Sequence, residues 1–314
     1  MTTPTLTGAF TALVTPFTRN GDLDEPAFGR ILRHQLDGGI DGLVPCGTTG
    51  ESPTLEPVER ERLIELTVAA ARERFGSTGR TTTVLAGTGT NDTRSTIAAT
   101  RRAAALGADA ALVVAPYYNK PDQRMLEAHY RAVADDGHLS VVVYNVPGRT
   151  GTNVDADTLL RLAEHPRIIG VKEASANLEQ IMTVLRDRPA GFTVLSGDDS
   201  WTFPLLALGG DGVVSVASNE VPGVMAGLCA AARAQDLATA RHLHERHLDL
   251  FRVNFVSPNP VPVKAALAEM GLIEDVLRPP LLPLADTQRT RLRAILGDLG
   301  LLAARPTERT GVAA

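Results

Sequence analysis

Lys172 is the first residue in this chain that could do chemistry of its own. It closes the apolar run Ile168-Ile169-Gly170-Val171 and is followed by Glu173-Ala174-Ser175. In an extended strand alternate side chains share a face. That predicts Ile168, Gly170 and Lys172 on one side, with Val171 and Glu173 on the other, and open space beneath the amine at Gly170. An amine drawn out of water gives up its proton more easily, and the neutral form is the one that adds to a carbonyl to make an imine. The plainer alternative is a strand-end lysine whose stem lies on apolar surface and whose head reaches solvent.

Other groups of this kind also follow apolar runs. Val143-Tyr144-Asn145-Val146-Pro147-Gly148-Arg149-Thr150-Gly151 offers a phenol, Tyr144, on the same face as Val142, able to donate or accept a proton. It also offers Arg149 in a Gly/Pro loop, where a guanidinium can grip a carboxylate with two hydrogen bonds or simply be solvated. Gly47-Thr48-Thr49-Gly50-Glu51-Ser52 sets hydroxyls and backbone N–H groups between glycines, a pattern that can gather around an anion or merely start the next helix. Pro116-Tyr117-Tyr118-Asn119 places two adjacent tyrosines at a run's end in a chain with four tyrosines in all; packing or contact between subunits is the alternative use.

Two further sets read as structural. Asp198-Asp199, after Leu195-Ser196-Gly197, suits N-capping of the segment around Trp201 better than a metal, because adjacent side chains diverge. His242, His244 and His247 sit among Arg241, Glu245, Arg246 and Asp249, which reads as a solvated helix face. Gly87-Thr88-Gly89-Thr90-Asn91-Asp92 lacks the third glycine of a dinucleotide turn.

These groups need a frame. Apolar runs recur at Phe10 to Phe17, Gly42 to Cys46, Thr82 to Ala86, Ala111 to Ala115, Val141 to Tyr144, Ile168 to Val171, Thr193 to Leu195 and Gly212 to Val216. Strands covered on both faces read as continuous hydrophobic runs, and segments of helical period lie between these. Glu56-Pro57-Val58-Glu59 has the acids and early proline of a helix start. Asp155 or Asp157 can cap the helix carrying Leu159, Leu160 and Leu162. Eight such units match a (β/α)8 barrel better than an open doubly wound sheet, so the expected barrel spans residues 1–221. Val224 to Asp236, Leu237 to Phe255, Val261 to Met270 and Thr287 to Leu302 then read as a C-terminal helical domain over 222–304, with 305–314 as a disordered tail. In a barrel the strand ends converge at one mouth. A lysine, a tyrosine, a hydroxyl-rich loop and an arginine there form the set of an aldolase that works through a lysine imine.

Composition narrows the partners. A net charge of −5 with basic residues scattered through the chain argues against nucleic acid. Two cysteines, Cys46 and Cys229, make no disulfide framework or metal spacing. Met1 to Thr5 lacks the basic and apolar regions of a leader, and no apolar run approaches the roughly 18 residues of a membrane span. A cytoplasmic chain with no membrane partner is expected.

The same motifs carry a family likeness. Gly47-Thr48-Thr49-Gly50-Glu51-Ser52, Pro116-Tyr117-Tyr118-Asn119, Tyr144 to Gly151, Gly170-Val171-Lys172-Glu173-Ala174, Leu195 to Asp199 and Pro258-Asn259-Pro260-Val261-Pro262-Val263-Lys264 resemble the dihydrodipicolinate synthases, from about Gly8 to Leu302. The resemblance implies that Lys172 holds pyruvate as an imine and then an enamine, which attacks the aldehyde of aspartate 4-semialdehyde. It implies Tyr144, Thr48 and Tyr118 as a proton relay, Tyr118 reaching in from a neighbouring subunit. Thr49, Gly197 and Val214 would hold pyruvate and Arg149 the second substrate's carboxylate. It implies a homotetramer built as a dimer of dimers, with no metal or organic cofactor.

One departure concerns regulation. Where lysine-inhibited members carry histidines and a glutamate, the matching positions here are Pro57, Arg60 and Ser95, with Asn91 and Tyr117 retained. Loss of the carboxylate and gain of a cation predict weak or no inhibition by lysine. Two rival readings stand beside the synthase. One is another pyruvate-dependent aldolase acting on a sugar acid or hydroxy-oxoacid; the other is a non-catalytic binding protein on the same barrel.

Overall fold

Eight parallel strands close on themselves in the computed structural model, which describes Pro4 and residues 6–302. They are β1 (Gly8–Ala12), β2 (Gly42–Val44), β3 (Thr83–Gly87), β4 (Ala110–Val114), β5 (Ser140–Asn145), β6 (Ile168–Glu173), β7 (Thr193–Ser196) and β8 (Gly212–Ser215). Each pairs with the next, and β8 pairs back to β1. The open-sheet alternative is therefore excluded. The first strand is shorter than its apolar run predicts. After Ala12 the chain leaves the ladder, with Val14 N bonded to the Asn219 side chain and the Thr15 hydroxyl to Gly50 O.

Alternation along the strands makes two apolar shells. Phe10, Val44, Leu85, Leu112, Val142, Leu195 and Val214 fill the barrel interior. Ala9, Leu43, Val84, Ala111, Val143, Val171, Val194 and Val213 face outward to the helices. One strand breaks the pattern. Val141 pairs with Ile168 but Val142 pairs with Gly170, so the register slips past Ile169, as at a β-bulge. Ile168 thereby joins the outer shell and Ile169 the inner one, which corrects the expectation that Ile168 shares the face of Lys172. Gly170 opens no space under the amine either. A Cβ there would lie 2.2 Å from Thr193 Oγ1, so the glycine serves the close approach of β6 to β7.

The helices are α1 (Glu25–Asp37), α2 (Pro57–Thr78), α3 (Thr93–Ala105), α4 (Gln123–Asp136), α5 (Pro147–Thr150), α6 (Ala156–Ala163), α7 (Leu178–Asp187), α8 (Thr202–Ala207), α9 (Pro222–Arg233), α10 (Leu237–Val253), α11 (Val261–Glu269) and α12 (Asp286–Asp298). Their starts follow capping chemistry. Glu56 and Glu59 form a reciprocal box at α2, and Asp155 accepts from Thr158 N at α6. Met225, Leu228, Cys229 and Ala232 of α9 pack into the barrel's outer shell, so this helix completes the eighth unit although it follows residue 221. Beyond it, Leu250, Val253, Val261, Ala265, Leu292 and Leu296 of α10 to α12 make a separate apolar cluster. The expected tail at 305–314 lies outside the described residues. Among the described residues no helix is long and apolar enough to cross a membrane.

Candidate active site

Strand β6 delivers Lys172 to the barrel's C-terminal mouth between Tyr144 of β5 and Leu195 of β7, its register partners. The residue is only 5% exposed. Its Nζ stands 4.2 Å from the centre of the Tyr144 ring, and among the described residues it forms no ion pair or hydrogen bond. Room for the side chain comes from Gly197 rather than Gly170. A Cβ at Gly197 would lie 3.1 Å from both Lys172 Cγ and Cε. Glu173 points away from the mouth, as alternation predicts, and accepts from Asn145 Nδ2, Gln180 Nε2 and Ser175 N. Burial nevertheless pushes its carboxyl above the usual range, against the pull of those donors.

Tyr144 and Val214 belong to the interior apolar cluster and so face the space in front of Lys172. Thr48, Arg149 and Tyr117 line a neighbouring cavity of about 190 Å³ together with Val114 and Val146. Arg149 reaches it from α5, a single turn started by Pro147 and ended at Gly151, whose φ of 71° suits glycine. Thr49 is buried, with its hydroxyl 3.0 Å from Asn259 Nδ2.

Tyr118, also predicted for the site, stands in solvent in this chain. It is 89% exposed and holds a left-handed φ of 75°. Asn119 N donates to Tyr117 O at 2.9 Å across it, a tight γ-turn that presents the ring to solvent.

Several residues around the mouth carry no role in the local spacing. Glu51, at φ 54°, ends the hydroxyl loop. Its two carboxylate oxygens accept from Lys264 Nζ at 2.5 Å and Arg278 N at 3.0 Å. Lys264, 0% exposed, also donates to Thr15 O at 2.9 Å and lies over the Phe17 ring. A signal for Lys264 was present in the sequence, a lysine inside the apolar stretch Val261-Pro262-Val263-Lys264-Ala265-Ala266-Leu267.

Two sets read as structural divide differently from expectation. Asp198 caps as predicted, accepting from Ser200 N. Asp199 instead turns inward and accepts from Val216 N and Ala217 N, with burial pushing its carboxyl up to about 6. His244 is buried between Phe203 and Phe251 rather than solvated. Loss of water there lowers its pKa. It shares a helix face with Ala240 and Phe251, a spacing that its charged neighbours mask.

Closed barrels of this type keep their chemistry at the strand C-terminal ends, and a buried amine held there is the arrangement of class I aldolases, lyases that work through a lysine imine. The order of motifs around the mouth carries this further. The chain belongs to the dihydrodipicolinate synthetase family, whose model matches residues 5–299. It is 49% identical over 297 residues to a 4-hydroxy-tetrahydrodipicolinate synthase of Nitratidesulfovibrio vulgaris, covering 94% of this chain and 99% of that one. It is 47% identical to the one of Maridesulfovibrio salexigens, covering 95% of this chain and 100% of the relative. Among solved structures, dihydrodipicolinate synthase from Thermotoga maritima superposes with a TM-score of 0.90 at 43% identity, over 94% and 99% of the two chains. The enzyme from Acinetobacter baumannii, solved in complex with pyruvate, superposes at 0.91 with 40% identity, over 95% and 100%.

Proposed function

We propose that this chain condenses pyruvate with L-aspartate 4-semialdehyde to give 4-hydroxy-tetrahydrodipicolinate, the first committed step toward diaminopimelate and lysine. The observation that carries the reading is the buried amine of Lys172, unpaired and set against the Tyr144 ring. The relatives named as that synthase support the choice of substrates.

Lys172 Nζ adds to the ketone carbon of pyruvate, and loss of water gives the imine. Removal of a methyl proton leaves an enamine, whose carbon attacks the aldehyde carbon of the second substrate. One carbon–carbon bond forms, and protonation of the oxygen leaves an alcohol. The second substrate's amine then adds to the imine carbon, closes the ring and releases Lys172 as a free amine. Tyr144 and Thr48 carry protons at the mouth, and Tyr118 completes the relay from a second copy of the chain, which gives its exposure a reason. Thr49, Gly197 and Val214 hold pyruvate, and Arg149 takes the carboxylate of the aldehyde substrate, a partner suited to a short acid rather than a sugar chain. The assembly is a homotetramer made as a dimer of dimers, working in the cytoplasm without nucleic acid or membrane.

Borohydride reduction in the presence of pyruvate tests the reading. A pyruvate-sized adduct on the peptide bearing Lys172 is expected, and its absence would sink the imine mechanism. A coupled assay comparing aspartate semialdehyde with sugar aldehydes then fixes the second substrate. Regulation follows from Arg60, whose guanidinium donates to Ser52 O and Leu55 O where the lysine-inhibited members place a histidine. Lysine at sub-millimolar concentration leaves the steady-state rate unchanged; strong inhibition there would overturn the assignment.

A further inference from the structure

Thr49 is 2% exposed, and its hydroxyl meets one polar side chain among the described residues, the Asn259 amide. Asn259 Nδ2 donates and Thr49 Oγ1 accepts, at 3.0 Å and across 210 residues of sequence. A threonine hydroxyl has one proton and two lone pairs. With a lone pair taken by the amide, its proton is left to donate, and no acceptor among the described residues claims it.

The amide's orientation follows from what each choice would leave unmatched. As it stands, Asn259 Oδ1 is buried without a partner. Turned over, the amide would take the Thr49 proton at Oδ1 and leave two N–H donors buried instead. One unmatched acceptor beside one spare N–H costs less than two unmatched N–H donors, because an under-satisfied carbonyl is better tolerated in the interior than an orphaned N–H.

Asn259 is also held firmly. It lies in the turn Pro258-Asn259-Pro260 that leads into α11, with Val261 N bonded to Pro258 O and Lys264 N to Pro260 O. From one turn further along α11, Lys264 clamps Glu51, and Arg278 N takes the other oxygen of that carboxylate. The hydroxyl loop from Thr48 to Glu51 is thus fastened at two points by the C-terminal helical segment. One fastening fixes its backbone through Glu51; the other sets the direction of a single proton.

We propose that Asn259 is a positioning residue that locks the Thr49 hydroxyl as a donor to the carboxylate of pyruvate bound at Lys172. The proposal rests on the imine reading of the site and adds to it how the C-terminal segment takes part. A fixed donor aimed at a carboxylate gains a charge-assisted hydrogen bond with no cost of reorientation when the substrate arrives. The expected signature is a change in pyruvate binding, with handling of the second substrate spared.

The test is steady-state kinetics of the full-length chain. Asn259→Ala raises the pyruvate KM about ten-fold or more, while the KM of aspartate semialdehyde stays within about two-fold. Asn259→Asp puts an acceptor where the donor stood, so the Thr49 proton turns toward it and the pyruvate KM rises further. Asn259→Ser serves if the alanine form does not fold. A double-mutant cycle gives a readout that a merely structural role would not share. In a Thr49→Val background, Asn259→Ala adds nothing to the pyruvate KM. An unchanged KM in the alanine or serine form, full activity in the aspartate form, or additive effects in the cycle would each overturn the role. Failure of the wild-type chain to trap pyruvate on Lys172 would sink the imine reading itself. A wild-type adduct with unaltered variant KM values would sink the role of Asn259 alone.

Discussion

Lys172 and Lys264 are both buried, and each lays its amine against an aromatic ring, 4.2 Å from the Tyr144 centroid in one case and 4.4 Å from that of Phe17 in the other. Their polar surroundings are opposite. Lys264 donates to the Glu51 carboxylate and to Thr15 O. Desolvation still draws its pKa down, and Glu51 opposes that pull. Among the described residues Lys172 Nζ makes no ion pair and no hydrogen bond, only the ring contact. A charge removed from water is costly unless it is matched, and of the two amines Lys264 is the one held in an ion pair. Of the 31 basic residues only Lys120, Lys172 and Lys264 are lysines. Arginine serves almost everywhere else, but a guanidinium does not form an imine, and its broad fork does not match the point contact between Glu51 and Thr15.

The comparison breaks most visibly if the two positions are exchanged as targets. Lys172→Met is expected to lower turnover by at least about a thousand-fold, as loss of a covalent nucleophile does, and to abolish the borohydride adduct. Its thermal midpoint should match wild type or exceed it, because a buried amine with no partner gives way to an apolar chain of similar length. A large loss of stability would place Lys172 with the structural residues. Lys264→Met reverses the pattern. Glu51 is left as an unpaired buried carboxylate, which costs about 3–5 kcal/mol in urea unfolding. Per folded molecule, pyruvate trapping on Lys172 should survive. Loss of trapping with unaltered stability would show that Lys264 belongs to the chemistry.

Tyr144 sharpens the same contrast from the side of its ring. Phe17 serves Lys264 as a surface alone, whereas Tyr144 brings a hydroxyl to Lys172. Tyr144→Phe keeps the ring against the amine and removes only the proton carrier, so turnover is expected to fall about a hundred-fold with the pyruvate adduct retained. A variant with unchanged turnover would remove Tyr144 from the relay and leave it a packing role like that of Phe17.

The two lysines also mark what could be read from the chain. Lys172 stood out because parallel strands buried on both faces are written as apolar runs, and a polar residue ending such a run is conspicuous. The eight runs and Tyr144 were legible for the same reason. The bulge beside Ile169 was not, because a one-residue slip in register leaves no mark of composition. Lys264 and Asn259 had no visible purpose because their partners, Glu51 and Thr49, lie 213 and 210 residues away. Tyr118 was placed only through resemblance; within one chain its side chain lies in solvent.

The gentlest perturbation asks whether Lys264 matters for its charge or for its shape. In Lys264→Met with Glu51→Gln the pair becomes neutral. The glutamine carbonyl can still accept from Arg278 N, as Glu51 Oε2 does, and the methionine keeps a chain of lysine's length against Phe17. What remains unmatched is Thr15 O, which loses its ammonium donor, and the glutamine NH2, which takes the place of Glu51 Oε1 and faces methionine. Each unsatisfied group costs about 1–3 kcal/mol, offset in part by the desolvation of two charges that no longer has to be met. The double variant should therefore recover about half of the stability lost in Lys264→Met, ending about 2 kcal/mol below wild type by that balance. Recovery of stability without recovery of pyruvate KM would mean that the charge itself tunes the hydroxyl loop. No recovery at all would mean that the Thr15 contact, rather than the ion pair, fastens the loop.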